Sequence, residues 1–123
     1  MSIYAKNIRA SVTRELVHAA EAEAQQQPAL AFRHLERAHV LGQHSTREHV
    51  RAHVHMLRWG IRHRSPIEVF GQLLRILGAA TKTAIGWVPA GNTGGANVSP
   101  FKTMPVDPEL HAIIVAARRP PNG

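Results

Sequence analysis

The chain has 123 residues, a length that suits one domain with one core, and Lys plus Arg exceed Asp plus Glu by 15 to 8. Hydrophobic residues make up 44%, which excludes wholesale disorder. The chain has no cysteine, which excludes disulfide frameworks, thiolate zinc fingers and cysteine nucleophiles.

Apolar residues recur at helical spacing through the first two thirds of the chain and predict four helices. The first runs from about Ile8 to Gln26. Pro28 suits the first turn of the second, which ends near Leu41 with Gly42 as its stop.

Capping residues mark the start of the other two helices. Ser45 or Thr46 caps the third, whose predicted core stripe is Val50, Val54, Leu57 and Ile61. Ser65-Pro66 followed by Glu68 begins the fourth. Its predicted inward side chains are Val69, Leu73, Ile76, Leu77 and Ala80.

Glycine and proline dominate after Ala84 and predict an irregular strap over 85–123, with one short helix over 108–117. The segment Gly91–Asn97 lacks the Gly-Lys-Ser/Thr ending of a phosphate-binding loop, so turn formation is the better interpretation. The whole chain, 1–123, is therefore predicted to be a single all-α domain with a helical core over 8–84. Its architecture is either a four-helix bundle or stacked helix hairpins of the tetratricopeptide type.

The N-terminal segment Met1–Arg14 has no apolar stretch of the secretory type, and nothing approaches the ~20 apolar residues that span a bilayer. We therefore expect a cytoplasmic protein without membrane contact.

Nine histidines are dispersed along the chain and call for an explanation. On helical wheels, Glu15 falls inside the apolar arc of the first helix, where an unpaired carboxylate is costly. Glu36 and His39 lie one turn apart on the second helix, and His49 and His53 lie four apart on the third. Because helices joined by short loops pack antiparallel, these five residues are predicted to meet in the interior and bind one metal ion. Glu15 would be either a fifth ligand or the hydrogen-bond partner of a ligand.

The predicted nitrogen and oxygen ligands suit divalent zinc, iron, nickel or copper and do not suit Cu(I), which prefers thiolates. A two-iron site would need more inward carboxylates, because Glu68 is predicted to lie on the wet face with Arg75 and Lys82. One alternative is a buried polar network, in which His39 bonds to Glu15 and Glu36 pairs with an arginine. Another is that the histidines are exposed and unrelated to one another.

Four arginines share one stripe on the outside of the third helix and predict an anion-facing edge: Arg47, Arg51, Arg58 and Arg62. The partner would be a phosphate backbone, an acidic protein or counter-ions alone. No aromatic residue interleaves the stripe, so stacking on single-stranded bases is disfavoured.

The string over 34–43, HLERAHVLGQ, resembles the central motif of a bacterial family known as domain of unknown function 3703. The histidines at 49 and 53, the string GQLLR over 71–75 and the string GNTGGANVS over 91–99 resemble it as well. The resemblance spans about Ala31 to Leu110. It implies one self-contained domain of bacterial origin and supplies no catalytic residues.

Two function hypotheses follow. In the first, the protein binds a divalent metal through its glutamate and histidine cluster, as a carrier, a sensor or an enzyme of unknown reaction. In the second, it is a non-catalytic interaction module that uses its basic face, and its histidines are structural.

Overall fold

The computed structural model describes residues 2–84 and 104–120, and for 81–84 it describes the backbone alone. Five α-helices lie in these ranges: α1 (Ile3–Ala24), α2 (Pro28–Gly42), α3 (Thr46–Arg62), α4 (Pro66–Ala84) and α5 (Pro108–Ala117). The predicted all-α fold is confirmed, as is the short helix near the C-terminus. The predicted irregular segment between Ala84 and α5, including Gly91–Asn97, falls mostly outside the described residues.

Side-chain caps set most of the helix starts. The Ser45 hydroxyl accepts from the Glu48 amide at the start of α3, and the Ser65 hydroxyl accepts from the Glu68 amide at the start of α4. Helix α1 begins five residues earlier than predicted, because the Ser2 hydroxyl accepts from the Ala5 amide and so caps it there.

Consecutive helices pack on one another along the chain. Helix α1 packs on α2, α2 on α3 and α3 on α4, while α5 lies against α1 and α2. Among the described residues α4 contacts α3 alone. This order of neighbours is that of stacked helix hairpins, so α3 is sandwiched between α2 and α4.

The apolar core lies between α1, α2, α3 and α5. It is built from aliphatic side chains and one methionine, including Ile8, Val12, Leu16, Leu35, Leu41, Met56, Leu110 and Ile114. None of the helices in the described ranges combines the length and apolarity needed to cross a bilayer.

The predicted inward faces of α3 and α4 were wrong in part. On α3, Ile61 is 60% exposed, and the buried positions are Glu48, His49, Ala52, His53, Met56 and Gly60. On α4, Leu73 and Leu77 are exposed, while Gln72 and Ala79 are buried. The prediction for α3 was wrong in part because this helix lies between α2 and α4, and a helix with neighbours on two sides buries two faces. Helix α4 is apolar around most of its circumference, so its sequence does not select a face.

Candidate metal centre

Three histidines from two helices meet in the interior. His39 comes from α2, and His49 and His53 come from successive turns of α3; all three are at least 95% buried. Their ring centroids lie 4.6–5.0 Å apart. One nitrogen of each ring lies within 4.8 Å of one nitrogen of each of the others. We call this group the histidine triad.

Two members of the triad approach each other directly. Nε2 of His39 and Nε2 of His49 are 3.0 Å apart. In the absence of an ion, one of these nitrogens donates a hydrogen bond to the other. With an ion, the same spacing suits two ligands of one metal, because nitrogens bound to a tetrahedral zinc lie about 3.3 Å apart.

A chain of two hydrogen bonds from α4 orients the third member. Nδ1 of His53 donates to Oε1 of Gln72 at 2.6 Å, and Nε2 of Gln72 donates to Oε2 of Glu68 at 3.0 Å. The Glu68 carboxylate can only accept, so it fixes which end of the Gln72 amide faces His53. His53 therefore carries its proton on Nδ1 and its lone pair on Nε2, as a metal-binding imidazole with an outer hydrogen-bond partner does.

Two glycines allow the helices around the triad to approach closely. A Cβ at Gly42 would lie 2.9 Å from Cβ of Glu48, where the end of α2 meets α3. A Cβ at Gly60 would lie 3.1 Å from Cβ of Glu68 and 3.2 Å from the Val69 amide nitrogen, where α3 meets α4. Neither space accommodates a larger residue without movement. These contacts set the spacing of the three helices that supply the triad and Gln72.

Glu15 was predicted as a ligand, and the structure gives it a different partner. Nε of Arg37 donates to both of its carboxylate oxygens, at 2.8 and 3.0 Å, and Nδ1 of His34 lies 3.4 Å from one of them. Arg37 also donates to Glu109 on α5 at 2.9 Å. Burial lowers the pKa of Arg37, but its bond to Glu15 and the charges of Glu15 and Glu109 outweigh this and raise it. Glu15 is thus part of an ion-pair network that links α1, α2 and α5, and it does not belong to the triad.

Glu36 does not belong to the triad either. It is half-buried and lines a cavity of about 230 Å³ between α2 and the segment that leads into α5. The polar-network alternative predicted a hydrogen bond between His39 and Glu15, and no such bond is among the contacts that the structure describes. Arg37 holds Glu15, and His39 faces His49. The structure therefore brings together three of the five predicted ligands.

The predicted arginine stripe is exposed for most of its length. Arg47, Arg58 and Arg62 are exposed on α3, whereas Arg51 is half-buried and donates to the buried carboxylate of Glu48 at 3.1 Å. The charge of Arg51 is thereby neutralised, and the other three present theirs to solvent.

Gln72 and Glu68 were missed as site residues. The predicted position of Glu68 on the wet face was wrong: it is half-buried and bonded to Gln72. A signal was available, because Gln72 falls at helical spacing among Val69, Ile76 and Ala79, and an amide inside an apolar stripe needs a polar partner.

The fold and the triad together define a class: a small all-α protein of stacked helix hairpins, with a buried tri-histidine cluster between its second, third and fourth helices. The chain belongs to the family described as Protein of unknown function (DUF3703), which matches residues 6–114. No curated protein and no solved structure matches it.

Proposed function

We propose that this protein binds one divalent transition-metal ion through His39, His49 and His53. The observation that carries the proposal is the convergence of three buried imidazoles with their ring nitrogens within 4.8 Å. Imidazole ligands suit zinc, copper, iron and nickel, whereas magnesium and calcium prefer oxygen.

The number of protein ligands bears on the role of the ion. Structural zinc sites use four protein ligands, and catalytic sites use three and keep one position open for water or substrate. Within the described ranges the triad supplies three neutral ligands, the number that catalytic sites use. Glu68 contributes negative charge on the side of His53, to which Gln72 links it by hydrogen bonds.

Metal titration of chelator-treated protein without a histidine tag tests the proposal. Calorimetry with Zn(II), Co(II), Ni(II) and Cu(II) should give one ion per chain. A saturating ion should raise the melting temperature, since 100-fold excess over Kd stabilises the folded state by about 2.7 kcal/mol. Binding should weaken below about pH 6.5, where protons compete for imidazole.

Substitutions then locate the site. The double variant His49→Ala, His53→Ala should lose the metal-induced shift, while His111→Ala, at an exposed position on α5, should keep it. Because the double variant removes two core side chains, imidazole ¹⁵N spectra of the unmodified protein provide an independent measurement. Three of the nine histidines should shift on addition of Zn(II). If no ion binds and no imidazole signal moves, the proposal is wrong, and the triad is a buried polar network.

The basic face of α3 favours a second candidate function, an interaction module for an acidic partner or nucleic acid. Arg47, Arg58 and Arg62 are exposed, and within the described residues none of them has an ion pair. Binding to a labelled DNA duplex should then fall steeply with salt and weaken when these arginines are replaced by alanine. An affinity that is independent of salt would reject this candidate.

A further inference from the structure

A second cavity, of about 230 Å³, lies between α1, α2 and α3 and shares no lining residue with the triad. Its floor is apolar and includes the buried side chains of Leu16, Ala19 and Leu35. Its rim carries Arg58 and Arg62, which lie one turn apart on α3. An apolar chamber with two cations at its mouth is complementary to a molecule with an apolar body and an anionic head.

The two arginines are available to a ligand. Neither Arg58 nor Arg62 forms a hydrogen bond or ion pair with any residue in the described ranges. Among the described residues that line the cavity, Glu23 is the only carboxylate, and Nε2 of His63 lies 2.6 Å from its Oε1. Glu23 thus has a partner other than the two arginines, whose charges have no ion pair within the described residues.

Two other lining residues add specificity. His55 on α3 lines the cavity and supplies two ring nitrogens that can hydrogen-bond to a ligand. The Trp59 ring packs at 4.6 Å from Phe32, and its Nε1 donates to the Pro28 carbonyl at 3.0 Å. Trp59 is therefore a fixed aromatic wall.

We propose that this cavity binds a small organic anion, with one carboxylate or phosphate group held by Arg58 and Arg62 and one apolar body seated on the floor. A cavity of about 150 Å³ holds a benzene molecule, so the available volume accommodates one aromatic ring and a short substituent. The site is independent of the triad and does not require a metal.

Fluorescence of Trp59 measures binding. The chain has two tryptophans, and Trp87→Phe leaves Trp59 as the only reporter. Phenyl phosphate and benzoate should each change this fluorescence saturably, and their relative affinities identify the preferred anionic group. Inorganic phosphate, which lacks the apolar body, and benzyl alcohol, which lacks the charge, should each bind at least about tenfold more weakly.

Substitutions test the anion-binding part and the apolar part of the site separately. Arg58→Ala and Arg62→Ala should each weaken binding about tenfold, because each removes a charge-assisted contact. Arg47→Ala is the matched control, since Arg47 lies on the same exposed stripe but does not line the cavity. Ala20→Leu, at an exposed lining position, should reduce binding by filling space without changing charge.

Calorimetry on the unmodified chain checks the affinities without the Trp87 substitution. The proposal is overturned if neither aromatic anion binds. It is also overturned if inorganic phosphate binds as tightly as phenyl phosphate, or if Arg47→Ala weakens binding as much as Arg58→Ala does.

Discussion

Replacing Gln72 with alanine should destabilise the protein and weaken metal binding together. Gln72 is fully buried, and its amide accepts the Nδ1 proton of His53, which is itself 2% exposed. Removing the acceptor leaves this buried N–H without its partner, which costs about 1–3 kcal/mol. The lost packing of the side chain adds about 1–1.5 kcal/mol, and the higher helix propensity of alanine returns only about 0.4 kcal/mol.

The expected net loss in the free energy of unfolding is about 2–4 kcal/mol, which corresponds to a fall in the melting temperature of about 10 °C or more. Urea unfolding of the metal-free protein followed by circular dichroism measures it. Leu73→Ala is the matched control, because the neighbouring Leu73 side chain is 53% exposed and its truncation should cost no more than about 0.5 kcal/mol.

The same variant should reduce metal affinity about 10- to 100-fold, since outer partners of ligating histidines have effects of this size. Calorimetry above the pH range of histidine protonation measures it. A Gln72→Ala protein that unfolds within 1 kcal/mol of wild type would refute the hydrogen-bond chain. One that is destabilised but binds metal unchanged would refute the role of Gln72 in orienting His53.

Other substitutions test other parts of the structure. Gly42→Ala should destabilise the protein by about 1–3 kcal/mol in urea unfolding, because its Cβ would lie 2.9 Å from a Glu48 carbon; unchanged stability would show that the close approach is absent. Arg37→Ala should cost about 3 kcal/mol by leaving the buried Glu15 carboxylate without its main partner, and Glu15→Gln in the same background should recover part of the loss. Folding lowers the pKa of His55, so as the pH drops below about 6.5 this imidazole is protonated in the unfolded chain before it is protonated in the folded one. Stability should therefore fall over this range, and His55→Gln should reduce the pH dependence of the melting temperature between pH 5 and 7. Burial raises the pKa of Tyr4 to about 12 against the lowering effect of Arg118, so the Tyr4 hydroxyl loses its proton in the unfolded chain at lower pH than in the folded one. Stability should therefore fall between about pH 10 and 12, and it should fall less in Tyr4→Phe.

The helices could be predicted from the sequence because their signals are local. The capping signals at Ser45 and Ser65 placed the starts of α3 and α4 within a residue of their observed positions. The i, i+4 spacing of His49 and His53 also placed them on one face of α3 without reference to any neighbour.

The buried face of α3 could not be predicted from its own periodicity. A hydrophobic wheel counts His49 and His53 as polar and gives little weight to Ala52 and Gly60. The packed structure buries all four, because small residues let α2 and α4 approach α3 and the imidazoles find partners across the gap. How closely two helices approach depends on the side chains of both, so it cannot be predicted from the sequence of one helix.

The buried charged and polar residues show the same difference between what one helix determines and what the packing of several helices determines. The sequence by itself determined that Glu15 would lie inside the core and need a partner, because its place on the wheel depends on α1 alone. Whether that partner would be a metal ion or Arg37, and that Gln72 on α4 would reach His53 on α3, was decided by the tertiary structure. The physical reason is that burial follows from the pattern within one helix, whereas the identity of a buried polar contact depends on which surfaces face each other and at what distance.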